Sequence, residues 1–132
     1  TPSVSNFLLI FLLRMMVNAL VQKGDVVIEF GARFGTTSCI LSRAVGSTGH
    51  VISVEPDHTV HGHLLRNRHD HKCDYHVVLG TVSEKPLFIA KKGGSGYGLR
   101  TTEVFENVRK EEVSSLPNTD ISIIEEHLDR RI

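Results

Sequence analysis

A chain of 132 residues makes one domain, long enough to bury a real core. Its 15 basic and 15 acidic residues cancel, so no overall field draws it to nucleic acid or to an anionic membrane. Two cysteines, Cys39 and Cys73, do not make a disulfide framework, and they read as reduced thiols in a cytoplasmic protein.

Residues 1–23 come first. After Ser3 or Ser5, either of which suits a cap, Phe7 to Leu20 is apolar except for Arg14 and Asn18. Those two and Gln22 recur every four residues and form a narrow polar stripe along a helix. A helix this apolar must be covered. The expected cover is the sheet beside it, and the alternative is a homo-oligomer contact through Phe7 to Leu13. The run has neither the charged start nor the cleavage region of a signal peptide, and it is shorter than the roughly 20 apolar residues of a membrane span.

Residues 24–90 carry the chemistry. Val26, Val27 and Ile28 form a β-branched run between Gly24-Asp25 and a glycine-rich turn, the pattern of a buried strand. Thr37, Ile40, Leu41, Ala44 and Val45 then recur at helical spacing, so Glu29 to Thr36 joins a strand to the start of a helix. Gly31 leaves the strand where a positive φ lets a ligand lie against the backbone, and Gly35 opens the helix and permits close packing. Free N–H groups of the first helical turn, with the hydroxyls of Thr36, Thr37 and Ser38, face the same place, as does the Glu29 carboxylate. His50 to Val54 reads as a second strand ending in Glu55-Pro56, which sets an acidic side chain 20 residues after Gly35. In a βαβ unit that position faces the ribose hydroxyls of a nucleoside.

The pattern Glu29-x-Gly31-x-x-x-Gly35-x-x-Ser38, followed by Val54-Glu55-Pro56, resembles the S-adenosylmethionine site of class I methyltransferases, and the FkbM-type family in particular. The resemblance covers residues 7–90 well and 91–132 loosely. It implies a Rossmann-like α/β three-layer sandwich around a parallel sheet, present here as a truncated cofactor-binding part of one domain. It also implies that S-adenosylmethionine is the cofactor. Glu29, Gly31 and Gly35 would line its methionine part, with Ala32, Phe34, Thr36 and Ser38 in the same turn and helix start. Glu55 and Pro56 would stand at the ribose. The sequence departs from the family in having Glu29 where Asp is commoner and Arg33 and Phe34 within the turn. A dinucleotide site is the rival reading, but the G-x-G-x-x-G arrangement is absent.

Past Pro56, Asp57 suits the cap of a helix with Val60, Leu64 and Leu65 on its apolar side, ending near Asn67. Six of the eight histidines lie between His58 and His76. With Arg66, Arg68 and Lys72 among them, they read as a solvated helix face and loop, and no metal is expected. Tyr75 to Leu79 reads as a third strand. Gly80 and Thr81 follow it on the ligand edge of a parallel sheet, where an adenine would rest, and the family has a similar small segment there. Leu87 to Ala90 reads as a further strand, paired locally or at an edge.

In residues 91–132, Lys91 to Gly98 is a glycine-rich connector and not a P-loop, because its lysines precede its glycines. Leu99 to Val113 is ambiguous between strand and helix. Ser122-x-x-Glu125 has capping-box spacing, and Ile121, Ile124, Leu128 and Ile132 share one face of a terminal helix that ends in Arg130 and Arg131. No apolar run is left for a fourth parallel strand, so a long sheet edge and one sheet face are expected to be bare.

The expected function is methyl transfer from S-adenosylmethionine to an oxygen or nitrogen of a small molecule or sugar, with no general base assigned. The alternatives are a non-catalytic interaction protein that self-associates, and a dinucleotide-binding module.

Overall fold

The computed structural model describes residues 4–90, 101–102 and 113–128. Helix α1 (Val4–Leu20) leads into strand β1 (Val26–Phe30), helix α2 (Thr36–Val45), a single 3-10 turn at Gly46–Thr48, strand β2 (His50–Glu55), helix α3 (His61–Asp70) and strand β3 (His76–Leu79). The three strands form one parallel sheet with β2 in the centre. Each apolar run expected to be a strand is one.

The register decides which side chains share a face. Val27 pairs with Val51 and Glu29 with Ser53, while Val26 pairs with His50 and Ile28 with Ile52. Because side chains alternate along a strand, Val27, Glu29, Val51, Ser53 and Glu55 point to one side, and Val26, Ile28, Ile52 and Val54 to the other. The first side is packed by α2 and α3, with Leu41, Val45, Leu64 and Tyr75 buried around Val51. On the second side Ile52 and Val54 meet Ile124 of the last helix, α4 (Ile121–Leu128). The architecture is therefore α/β with helices on both faces of a parallel sheet. Its strand order, 3-2-1, is the first half of the Rossmann order. Among the described residues no strand pairs with the outer edge of β1.

The rest of the chain adds small pairings. Strand β4 (Thr81–Val82) runs parallel to β8 (Asn118–Thr119). Strand β5 (Phe88–Ala90) lies antiparallel between β6 (Thr101–Thr102) and β7 (Val113–Ser115). The expected glycine-rich connector, most of the ambiguous stretch, and Arg130, Arg131 and Ile132 lie outside the described residues.

Several expectations are corrected. Cys39 and Cys73 are not reduced: they form a disulfide with Cα atoms 5.2 Å apart, joining α2 to the turn after α3. Disulfides persist in oxidising compartments, so the cysteines no longer speak for the cytoplasm. Asp57 does not cap α3, because its side chain accepts from the N–H and hydroxyl of Thr59 in the preceding turn. The helix runs on to Asp70, past Asn67, and Leu65 faces outward. The start of α4 is capped by Asp120, whose carboxylate takes both the N–H and the hydroxyl of Ser122, so Ser122 lies inside the first turn. The second sheet face, expected to be bare, is covered by α4.

Helix α1 departs furthest from expectation. Of residues 7–20, only Val17 is buried, against the α2 side of the core, while Phe7, Leu8, Leu9, Phe11, Leu12, Met15, Met16 and Leu20 are exposed. No helix among the described residues is long and apolar enough to cross a membrane.

Candidate functional site

The turn after β1 is bound to its neighbour by backbone. The N–H groups of Gly31 and Ala32 both donate to the Val54 carbonyl, at 2.8 and 3.1 Å. Gly31 sits at φ +83°, and a Cβ there would meet nothing within 4 Å. Its glycine is required by the backbone angle, and the space outside it is open. Gly35, at φ +81°, is required for contact as well. A Cβ there would collide with the Tyr75 hydroxyl and stand 3.0 Å from Leu64. The close packing expected at Gly35 is thus made with Leu64 of α3 and with Tyr75, the residue before β3.

Glu55, at the end of β2, is buried with 2% of its surface exposed. One carboxylate oxygen accepts from the Arg33 N–H at 2.6 Å, and the other from the Asp57 N–H at 2.8 Å. Arg33 takes a positive φ of 49°, which presents its N–H to Glu55, and its guanidinium pairs with Asp57 at 2.8 Å. The same guanidinium lies 5.5 Å from the Phe34 ring centroid. Burial works against a charge on Asp57, but the bonds from Thr59 and Arg33 outweigh it and hold the carboxyl below its usual range. Turn, β2 terminus and Asp57 are therefore one hydrogen-bonded unit, with Arg33 as its clasp.

Glu29 is partly buried beneath the turn. Its carboxylate accepts from the hydroxyls of Ser38, at 2.5 Å, and Ser53, at 3.0 Å. Burial pushes this carboxyl above its usual value, the two hydroxyls oppose the shift, and the Glu55 charge adds to it. Ser38 is fully buried, so this trio ties β1, α2 and β2 together beneath the turn.

The structure brings Glu29, Gly31, Ala32, Gly35, Ser38 and Glu55 together around the β1–α2 junction, with Phe34 and Thr36 exposed at its rim and Pro56 partly buried. Gly80 and Thr81 are set elsewhere. A Cβ on Gly80 would collide with the Pro117 carbonyl, and Thr81 donates its N–H to that carbonyl and its hydroxyl to Asn118. Gly80 does remain tied to the junction, its N–H donating to the Glu55 carbonyl at 2.9 Å. Ser53 and the Arg33–Asp57 pair are site members that sequence reasoning missed. Ser53 had a signal, since it lies two residues before Glu55 on the same face of β2 and opposite Glu29. Of the histidines, His61 places a ring nitrogen 2.8 Å from the Glu55 carbonyl, while His58, His63, His69 and His71 are exposed. Among the described residues no three His, Cys, Asp or Glu side chains are grouped to hold a metal ion.

No family model matches the chain, and no curated protein matches it significantly. Solved structures do. The chain is similar to a protein-L-isoaspartate O-methyltransferase, with 29% identity, a TM-score of 0.45 and coverage of 54% of this chain and 22% of the other. Aeropyrum pernix fibrillarin, solved with natively bound S-adenosyl-L-methionine, is 26% identical, with a TM-score of 0.43 and coverage of 53% and 32%. A SAM-dependent methyltransferase from Aquifex aeolicus is 16% identical, with a TM-score of 0.48 and coverage of 56% and 41%. The chain spans well under half the length of each. Its fold class rests on the strand order, register and two helical layers described above.

Proposed function

We propose that the β1–α2 junction is the cofactor crevice of an S-adenosylmethionine-dependent methyltransferase of FkbM type, acting on an oxygen or nitrogen of a small molecule or sugar. On this reading residues 1–132 belong to a single partial domain, with 24–90 as its cofactor-binding core. The observation that carries the reading is the open Gly31 turn, held in a left-handed conformation directly above a buried acidic residue that ends the neighbouring parallel strand. The residues fit such a ligand at two points. Backbone alone lines the approach at Gly31, and the first N–H groups of α2, which no side chain caps, are free to bind a ligand.

When bound, the cofactor supplies an electrophilic methyl group. This chain's part is to hold it: Gly31 and Ala32 at the methionine portion, Glu55 at the ribose hydroxyls, and Phe34 and Thr36 at the rim. Proximity and orientation do most of the work in such transfer. Glu55 keeps unused lone pairs although both its oxygens are engaged, because each carboxylate oxygen accepts more than one bond. Glu55 is 2% exposed, so reaching them requires the turn around it to move, and binding and loop rearrangement are coupled here. Gly80 and Thr81, covered by Pro117 and Asn118, reach an adenine only if that segment moves too.

Calorimetric titration of the full chain with S-adenosylmethionine and S-adenosylhomocysteine tests this reading. Saturable binding to the folded protein is expected, with loss of at least tenfold in affinity for Gly31→Val, whose side chain would project into the open space. A folded wild-type chain that binds neither compound overturns it.

A second reading, a non-catalytic protein that self-associates, is favoured by α1. Eight large apolar side chains exposed along one helix offer an area of the order of the ~800 Å² per partner of a standard interface. Sedimentation equilibrium decides: a dimer dispersed by Leu12→Lys supports it, and a monomer at every concentration removes it.

A further inference from the structure

Beside the crevice, a cavity of about 230 Å³ opens between α1, α2 and the end of α3. Its lining joins the apolar side chains of Ile10, Phe34 and Ile40 to Arg14, Arg43 and His71, and contains no acidic residue. Among the described residues neither Arg14 nor Arg43 makes an ion pair or a side-chain hydrogen bond. Arg43 stands in the last turn of α2, where a cation complements the helix dipole. Arg14 has no such reason to be there, since it is the one charged residue of α1 and lies in the middle of the helix. Two guanidinium groups that border one small volume repel each other, and an anion between them would relieve that repulsion. The guanidinium fork also matches the oxygens of a carboxylate or phosphate.

We propose that this cavity binds a small organic anion, a carboxylate or phosphate carried on a short apolar or aromatic body. The volume is below the ~300–1,000 Å³ of drug-sized sites, so the body is small. The Cys39–Cys73 disulfide fixes one wall, because Cys39 lines the cavity. The site adjoins the proposed cofactor crevice and shares Phe34, Gly35 and Thr36 with its rim, while Glu29, Gly31 and Glu55 do not line it.

The test is titration of the intact, oxidised chain, free of S-adenosylmethionine, with benzoate, phenyl phosphate and phenol, followed by NMR shifts and calorimetry. Both anions are expected to saturate one site while phenol does not, with the tighter anion identifying the headgroup. Arg14→Gln and Arg43→Gln, both at exposed positions, should each weaken binding by about tenfold, the loss of one charge-assisted hydrogen bond. Arg66→Gln, away from the cavity, should leave it unchanged. Excess S-adenosylhomocysteine should not displace either anion. Failure of the folded wild-type chain to bind either anion at millimolar concentration overturns the proposal, as does equal binding by all three variants or by phenol. Displacement by S-adenosylhomocysteine overturns the separateness of the site and leaves the cofactor reading standing.

Discussion

The two faces of the parallel sheet are built to different standards. On the α2–α3 face, Val51, Leu64 and Val45 are almost wholly buried, Tyr75 fills the space under Gly35, and a disulfide crosses the helical layer. On the α4 face the buried set is Ile52, Val54 and Ile124, and a cavity of about 410 Å³ runs between α4 and β3, lined by His76, Val78, Ile123 and Leu128 among others. The first face holds the β1–α2 junction in place, so the closest packing lies directly beneath the candidate site. Among the described residues the second face is closed by two turns of helix, with Val82 packed at its side.

The contrast is broken or confirmed most directly by truncating one side chain on each face. Leu64→Ala should cost about 3–4 kcal/mol, because a fully buried leucine packed against Gly35 and Tyr75 leaves a cavity that a rigid layer cannot fill. Ile124→Ala, beside a space that already exists, should cost about 2 kcal/mol or less. Urea denaturation of both variants measures the difference. Equal losses would mean that α4 is as integral to the core as α3.

The disulfide sharpens the same comparison. It closes a loop with a sequence separation of 34, for which chain entropy alone gives roughly 3–4 kcal/mol. The Cys39→Ser, Cys73→Ser double variant should therefore lose about 2–3 kcal/mol once compensation in the unfolded chain is allowed for. Hydrogen exchange should locate the loss in α2 and α3 and leave α4 unchanged. A uniform loss across all elements would show that the two faces unfold as one unit.

How much of this was legible beforehand follows from the range of each interaction. Strands β1, β2 and β3 and helix α2 were readable because their apolar runs and periodicity are local. The acidic residue at the end of β2 was readable for the same reason. What Glu55 touches was not, because its partners depend on Arg33 taking a left-handed conformation 22 residues away in sequence. The Cys39–Cys73 bond depends on α2 and the α3–β3 turn meeting across 34 residues, which composition does not reveal. Helix α1 was read correctly as apolar, but the sequence could not say that α2 would cover only one side of it. Asp57 and Ser122 have ordinary capping chemistry, but Thr59 engages the Asp57 carboxylate before α3 begins, and Asp120 takes the cap of α4 ahead of Ser122.

The smallest effect concerns Glu29, which with Ser53 and Glu55 is one of the polar side chains on the well-packed face. Its carboxyl is raised in the folded state chiefly by burial, so the unfolded chain gives up the proton first. Between the usual value of 4.5 and the raised folded value, the native state holds more protons than the unfolded one, and stability falls as pH rises through that window. Above it the cost is constant. Glu29→Gln removes the titration and keeps a side-chain oxygen that can accept from Ser38 and Ser53. The variant should therefore match or exceed the wild type at pH 7 by up to about 1 kcal/mol, with the advantage shrinking toward pH 4. Paired denaturation curves across that range read the difference directly. A variant that is destabilised at neutral pH would mean that the charged Glu29 is held favourably by its two hydroxyls, and that this face tolerates a buried charge which the packing around it argues against.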